Sequence, residues 1–184
     1  MKIIGIDLAG MPKNASGICT LVVNDKDEKS VTTKILHENS EIIEYLTEIK
    51  PDIIAVDAPL TFTGENRHCD EELRKYGALP VTLRGMEMLS MRGTELAGDI
   101  KKLNMNFIEI FSTATAKILG FYDKDLMKKQ KNLVNFGVLG DTEKRILKKD
   151  EIDAIFAAIT GYLYLEGLTE DVGDEKGRVV IPKV

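Results

Sequence analysis

Four aspartates stand where carboxylates can act together. Asp7 closes the apolar run Ile3-Ile4-Gly5-Ile6, and Asp57 closes a second such run, Ile53-Ile54-Ala55-Val56. Asp150 and Asp153 lie three residues apart at the head of a stretch with helical periodicity, so they share one helix face. Carboxylates converging in a partly apolar site cannot all stay charged without compensation, because their repulsion raises at least one pKa. A divalent cation resolves that conflict. Oxygen donors without a Cys/His set favour a hard ion, Mg2+ or Mn2+, over zinc. Two such ions roughly 3.5–4 Å apart can activate a water and stabilise the leaving oxygen of a phosphodiester, with no protein nucleophile. Taken singly, each acid has an ordinary reading as well: a turn or cap residue for Asp7 and Asp57, an N-cap for Asp150, a helix-dipole partner for Asp153. What sets Asp7 and Asp57 apart is joint, since both interrupt the most apolar strands at equivalent ends.

Further residues could contribute. Strand alternation puts Glu109 on one face with Phe107 and Phe111, where it is either an additional ligand or an ion-pair partner. Arg67, Arg74, Arg84 and Arg92 could clamp a phosphate, although exposed helical arginines are the commoner explanation. From Lys117 to Lys149 there are nine Lys or Arg against four Asp or Glu, a local basic patch that suits a phosphate-bearing partner. Within it, Lys128-Lys129-Gln130-Lys131 reads first as a solvated face. The whole chain carries a formal net charge of −5, which disfavours tight nonspecific binding to nucleic acid. Neither G-x-G-x-x-G nor G-x-x-x-x-G-K-[ST] occurs, so dinucleotide and P-loop sites are excluded. Cys19 and Cys69, with His37 and His68, are too few for a disulfide framework or a thiolate metal site.

The elements that must position these acids follow from hydrophobic period. After the first strand, Ile18–Val23 and Val31–Leu36 complete an antiparallel meander. Ser40 is placed to cap a helix that ends before Pro51. The strand ending in Asp57 must then return beside strand one, and the right-handed crossover rule gives the order 3-2-1-4-5. That order sets Asp7 and Asp57 side by side, outside strand carboxyl ends where α/β sites commonly form. Residues 61–104 read as a helical insertion, with a short charged helix near Asp70–Lys75 and a longer apolar pattern at Met86, Leu89, Leu96, Ile100 and Leu103. Phe107–Phe111 makes a fifth strand and Ala114–Leu119 a short helix. Residues 121–149 read as helical segments around a loop at Gly137–Gly140, their path open. Asp150–Leu165 is an amphipathic helix, and Gly177–Val184 could add an edge strand.

With 184 residues, 43% hydrophobic and 30% charged, the chain is expected to form one α/β domain over 1–184, in a reducing cytoplasm and without a membrane span. The order of its motifs resembles a known family, the uncharacterised proteins described as predicted nucleases of the RNase H fold (domain of unknown function 429). The matching stretches are Ile4-Gly5-Ile6-Asp7-Leu8-Ala9-Gly10, Ala55-Val56-Asp57-Ala58-Pro59-Leu60, Arg67-His68-Cys69-Asp70 with Leu73-Arg74, Glu109-Ile110-Phe111, and Asp150-Glu151-Ile152-Asp153-Ala154. The last also resembles the closing helix of RuvC-type junction resolvases. Ser112 departs from the pattern, standing where many relatives have proline. The resemblance implies a ribonuclease H-like fold, a five-stranded mixed sheet of order 3-2-1-4-5 flanked by helices. It further implies a metal-dependent nuclease acting on DNA or RNA, with Asp7, Asp57, Asp150 and Asp153 as its metal-binding and catalytic acids. Another class stays open beside it: a non-enzymatic nucleic-acid-binding, protein-binding or regulatory domain with a vestigial metal site.

Overall fold

The computed structural model describes residues 1–183; Val184, the end of the expected edge strand, lies outside the described residues. The chain opens with the meander β1 (Lys2–Asp7), β2 (Ser16–Val23) and β3 (Lys29–Leu36), then crosses through α1 (Asn39–Ile49) to β4 (Ile53–Asp57). The insertion follows as α2 (His68–Glu72), a 3-10 turn over Leu73–Tyr76, and α3 (Arg84–Lys102), leading into β5 (Phe107–Glu109). Then come α4 (Ser112–Ile118), α5 (Leu126–Asn135), β6 (Val138–Gly140), α6 (Asp141–Lys144), α7 (Lys149–Leu165), and the strands β7 (Thr169–Asp174) and β8 (Gly177–Pro182). The main sheet has the order β5-β4-β1-β2-β3-β6, the expected five strands plus one.

The sixth strand corrects the expectation of a loop at Gly137–Gly140. Val138–Gly140 pairs parallel with Lys29–Val31. Gly140 makes the approach possible: at φ 93°, with a Cβ that would stand 2.4 Å from the Val31 carbonyl oxygen, no other residue fits. The tail is also corrected. Rather than joining the main sheet as an edge, β8 forms an antiparallel hairpin with β7 and lies against β5, with a bridge between Val180 and Ile110. At the start of α1 the cap is displaced from Ser40, because the Glu41 carboxylate accepts the backbone amides of His37 and Glu38.

The buried strands alternate between two cores. Ile3, Cys19, Leu21 and Ala55 face α7, whereas Ile4, Ile6, Ile54 and Val56 face α1 and α3, so helices cover both sides of the sheet. Among the described residues no helix is long and apolar enough to cross a membrane.

Three glycines let α7 lie flat on the sheet. A Cβ on Gly5 would stand 2.1 Å from the Ala154 carbonyl oxygen, one on Gly17 1.9 Å from that of Asp150, and one on Gly161 2.8 Å from Ile3 Cγ2. Gly5→Ala is therefore expected to cost about 2–3 kcal/mol, since the clash is with helix backbone that cannot rotate away. Urea unfolding measures this; a loss below about 1 kcal/mol would mean that α7 can lift from β1 freely.

Candidate metal centre

Parallel pairing of β1 with β4 sets Asp7 opposite Asp57 in register, at the carboxyl ends of adjacent strands. On its other side Asp7 pairs with Gly17, and the missing side chain there lets the first turn of α7 settle over the strand ends at Asp150. Asp150 and Asp153 thereby come close enough for their charges to act on Asp7. The helix start is held from outside by Glu151, whose carboxylate accepts from Thr33 Oγ1, Arg145 and the Lys148 amide and is kept down at about 2 despite burial.

Both strand-end carboxyls keep some solvent contact, yet the protein around them removes most of their hydration. Burial first, then the charges of Asp57 and Asp153, holds Asp7 well above the usual carboxylate range. Burial likewise pushes Asp57 from 3.8 to about 7, against a hydrogen bond from the Ser112 hydroxyl to Oδ2. This is the expected signature of crowded acids.

The crowding is answered in part by lysines. Lys149 Nζ lies 2.6 Å from Asp153 Oδ2, and Lys129 Nζ lies 3.6 Å from Asp153 Oδ1. Lys129 is itself buried, its ammonium 5.4 Å from the centre of the Tyr122 ring. Among the described residues no group of three or more His, Cys, Asp or Glu is placed to hold a metal ion as the side chains stand. By chemistry the donor set fits a hard divalent ion, because Asp7, Asp57 and Asp150 offer only carboxylate oxygens and a cation would relieve the repulsion that raises Asp7 and Asp57. Beside the pair, a cleft of about 200 Å3 runs along Pro59, Leu73, Leu79, Met86, Leu89 and Phe111, so the insertion forms one wall of the site.

Solved structures share the fold. Thermus thermophilus RuvC in complex with a Holliday junction substrate superposes with a TM-score of 0.60 over 91% of this chain and 96% of its own, at 10% sequence identity. Another Thermus thermophilus RuvC structure gives a TM-score of 0.56 at 12% identity, covering 91% and 97%. The chain has the ribonuclease H-like fold. No family model matches it, and no curated protein matches its sequence.

Within that fold the other sequence expectations divide. Glu109 is an ion-pair partner rather than a member of the aspartate group: Arg67 reaches it at 2.7 and 3.0 Å and grips Asp70 at 2.7 and 3.0 Å. Arg67, a candidate phosphate clamp from the sequence, lines the same cleft as Asp7 and Asp57 but is buried and directs its donors to Asp70, Glu109 and Thr61. Arg92 is likewise spent on structure, bonding Asn39 Oδ1, the Ala9 carbonyl and the His37 carbonyl. Arg74 stays exposed. In the basic stretch Lys128 and Lys131 are exposed as expected, but Lys129 points inward. Lys129, Lys149 and Ser112 contact the site acids, a role that the sequence alone did not give them. For Lys129 the signal was available, since α5 buries Leu133 and a residue four positions earlier shares its face.

Proposed function

We propose that this protein is a divalent-metal-dependent nuclease that hydrolyses phosphodiester bonds in DNA or RNA. The observation that carries the reading is the in-register pair Asp7 and Asp57 under the first turn of α7, on a sheet that superposes on a junction resolvase. Asp7, Asp57 and Asp150 would hold Mg2+ or Mn2+. Such an ion, when bound, supplies Lewis acidity to a phosphoryl oxygen and an acidified water. The residues do the rest: Ser112 fixes the Asp57 carboxyl by its hydroxyl, α7 sets Asp150 over the strand ends, and the Lys149 ammonium offers positive charge at the site's edge. The basic face of α5 is the natural place for backbone phosphates.

A second reading, a nucleic-acid-binding or regulatory domain with a vestigial site, is favoured by one feature: both oxygens of Asp153 already face lysines. One panel decides. Single-stranded, duplex, hybrid and branched DNA and RNA are incubated at low salt with Mg2+, Mn2+ or EDTA, beside Asp7→Asn. Cleavage that requires metal and falls about 100-fold or more in the variant is expected. Cleavage that survives EDTA or the substitution, or none on any substrate, removes the enzyme reading.

A further inference from the structure

Resting on the metal-dependent reading above, we infer that this site takes a single divalent ion, held by Asp7, Asp57 and Asp150, and that Lys129 and Lys149 stand in for a second ion at Asp153. The local charge leads there. The four carboxylates that interact at the strand ends bring four negative charges when ionised, and the two ammonium groups on Asp153 return two, leaving a surplus of two that one divalent ion cancels.

Position leads there too. Lys149 occupies Asp153 Oδ2 at 2.6 Å and Lys129 faces Oδ1 at 3.6 Å, so both oxygens already have a cationic partner and an ion there would meet the repulsion of an ammonium. Lys149 could swing away, because its side chain is 64% exposed. Lys129 cannot do so cheaply, since only 10% of its side chain is exposed and it is enclosed beside the Tyr122 ring. An ion taking Asp153 would therefore leave a buried ammonium unpaired, a state that proteins avoid. Lys129 is in this sense a positioning residue: it holds Asp153 as the lysines' partner and leaves the ion to the strand-end pair. The origin of the two lysines supports the division of labour. Lys149 belongs to α7 itself, but Lys129 is delivered by α5, which packs Leu133 into the core beneath α7 and leads into β6.

Mn2+ reports the count without reference to cleavage. Calorimetry on the whole chain is expected to give one Mn2+ per molecule, and electron paramagnetic resonance an isolated-ion spectrum with no exchange-coupled pair. Lys149→Met, at an exposed side chain that should not disturb folding, is expected still to bind one Mn2+ because Lys129 keeps its hold on Asp153, whereas the double variant with Lys129→Met is expected to admit a second Mn2+ at Asp153 and to show coupling. Two ions in the wild type overturn the inference and leave the nuclease reading standing. One ion in the wild type and in both variants overturns the role of the lysines. No binding at all overturns the metal-dependent reading on which the inference rests.

Discussion

Arg67→Met is expected to cost about 3–5 kcal/mol of stability, the usual consequence of stripping a buried carboxylate of its partner. Arg67 lies at the centre of the molecule's most enclosed charge network, bonding Asp70 through Nε and one terminal nitrogen and Glu109 through both terminal nitrogens. Burial acts against its positive charge, and the bonds to Asp70 and Glu109 outweigh that, so the guanidinium stays protonated. Glu109 is raised by its burial even with Arg67 beside it; without Arg67 only the Leu60 amide would remain to steady its charge. The network also joins distant parts of the chain. Gly177 of the hairpin lies so close that a Cβ there would meet Arg67 Cδ at 2.8 Å, and Asp70 brings in the insertion. The loss should appear as a lower urea midpoint with an unchanged slope. Arg67→Met combined with Asp70→Asn and Glu109→Gln should lose less than Arg67→Met alone, because the uncompensated charges go too. A loss under about 1 kcal/mol for the single substitution would show the network to be solvated and the wall of the cleft to be loose.

The network illustrates what the sequence could and could not carry. Asp7 and Asp57 were legible because the strands before them are apolar on both faces, which places them centrally, and because the crossover rule leaves little choice of neighbour. The long helix of Asp150 and Asp153 was legible from its period alone. Arg67 was not, because its local setting is a charged five-residue helix, and its burial comes from β5 and from a hairpin more than a hundred residues later. The hairpin escaped for a related reason: Thr169–Asp174 is polar and largely exposed, and pairs through backbone rather than through a buried face. A three-residue strand such as β6 has no period to read and exists only through its register with β3. Lys129 hid in a basic run whose composition announces solvent. In each case the deciding contact is long-range.

The metal-free protein is expected to lose stability as pH rises from about 4 to above 7, and Mg2+ or Mn2+ is expected to restore it. Asp57 titrates near 3.8 when unfolded and at about 7 in the folded chain. Between those values the folded state holds a proton that the unfolded state has released, so raising pH favours unfolding. Below about 4 both states are protonated and Asp57 contributes nothing; above about 7 its cost is complete, on the order of 4 kcal/mol. Asp7 is raised in the same direction and adds to the slope. Glu151 acts oppositely: with its ordinary value of 4.5 and its folded value near 2, its stabilisation is complete only above about pH 5 and is lost progressively as pH falls from there, so of these two Asp57 alone shapes the curve between about 5 and 7. Asp57→Asn isolates the effect, because the amide oxygen can still accept from Ser112 while the charge is gone. Its stability should be flatter with pH and higher than that of the wild type at pH 8. A metal at about 100 times its dissociation constant should return about 2.7 kcal/mol to the wild type and little to the variant. Parallel pH curves for the two proteins would show that Asp57 is not held protonated, and would remove the crowding argument for a cation between Asp7 and Asp57.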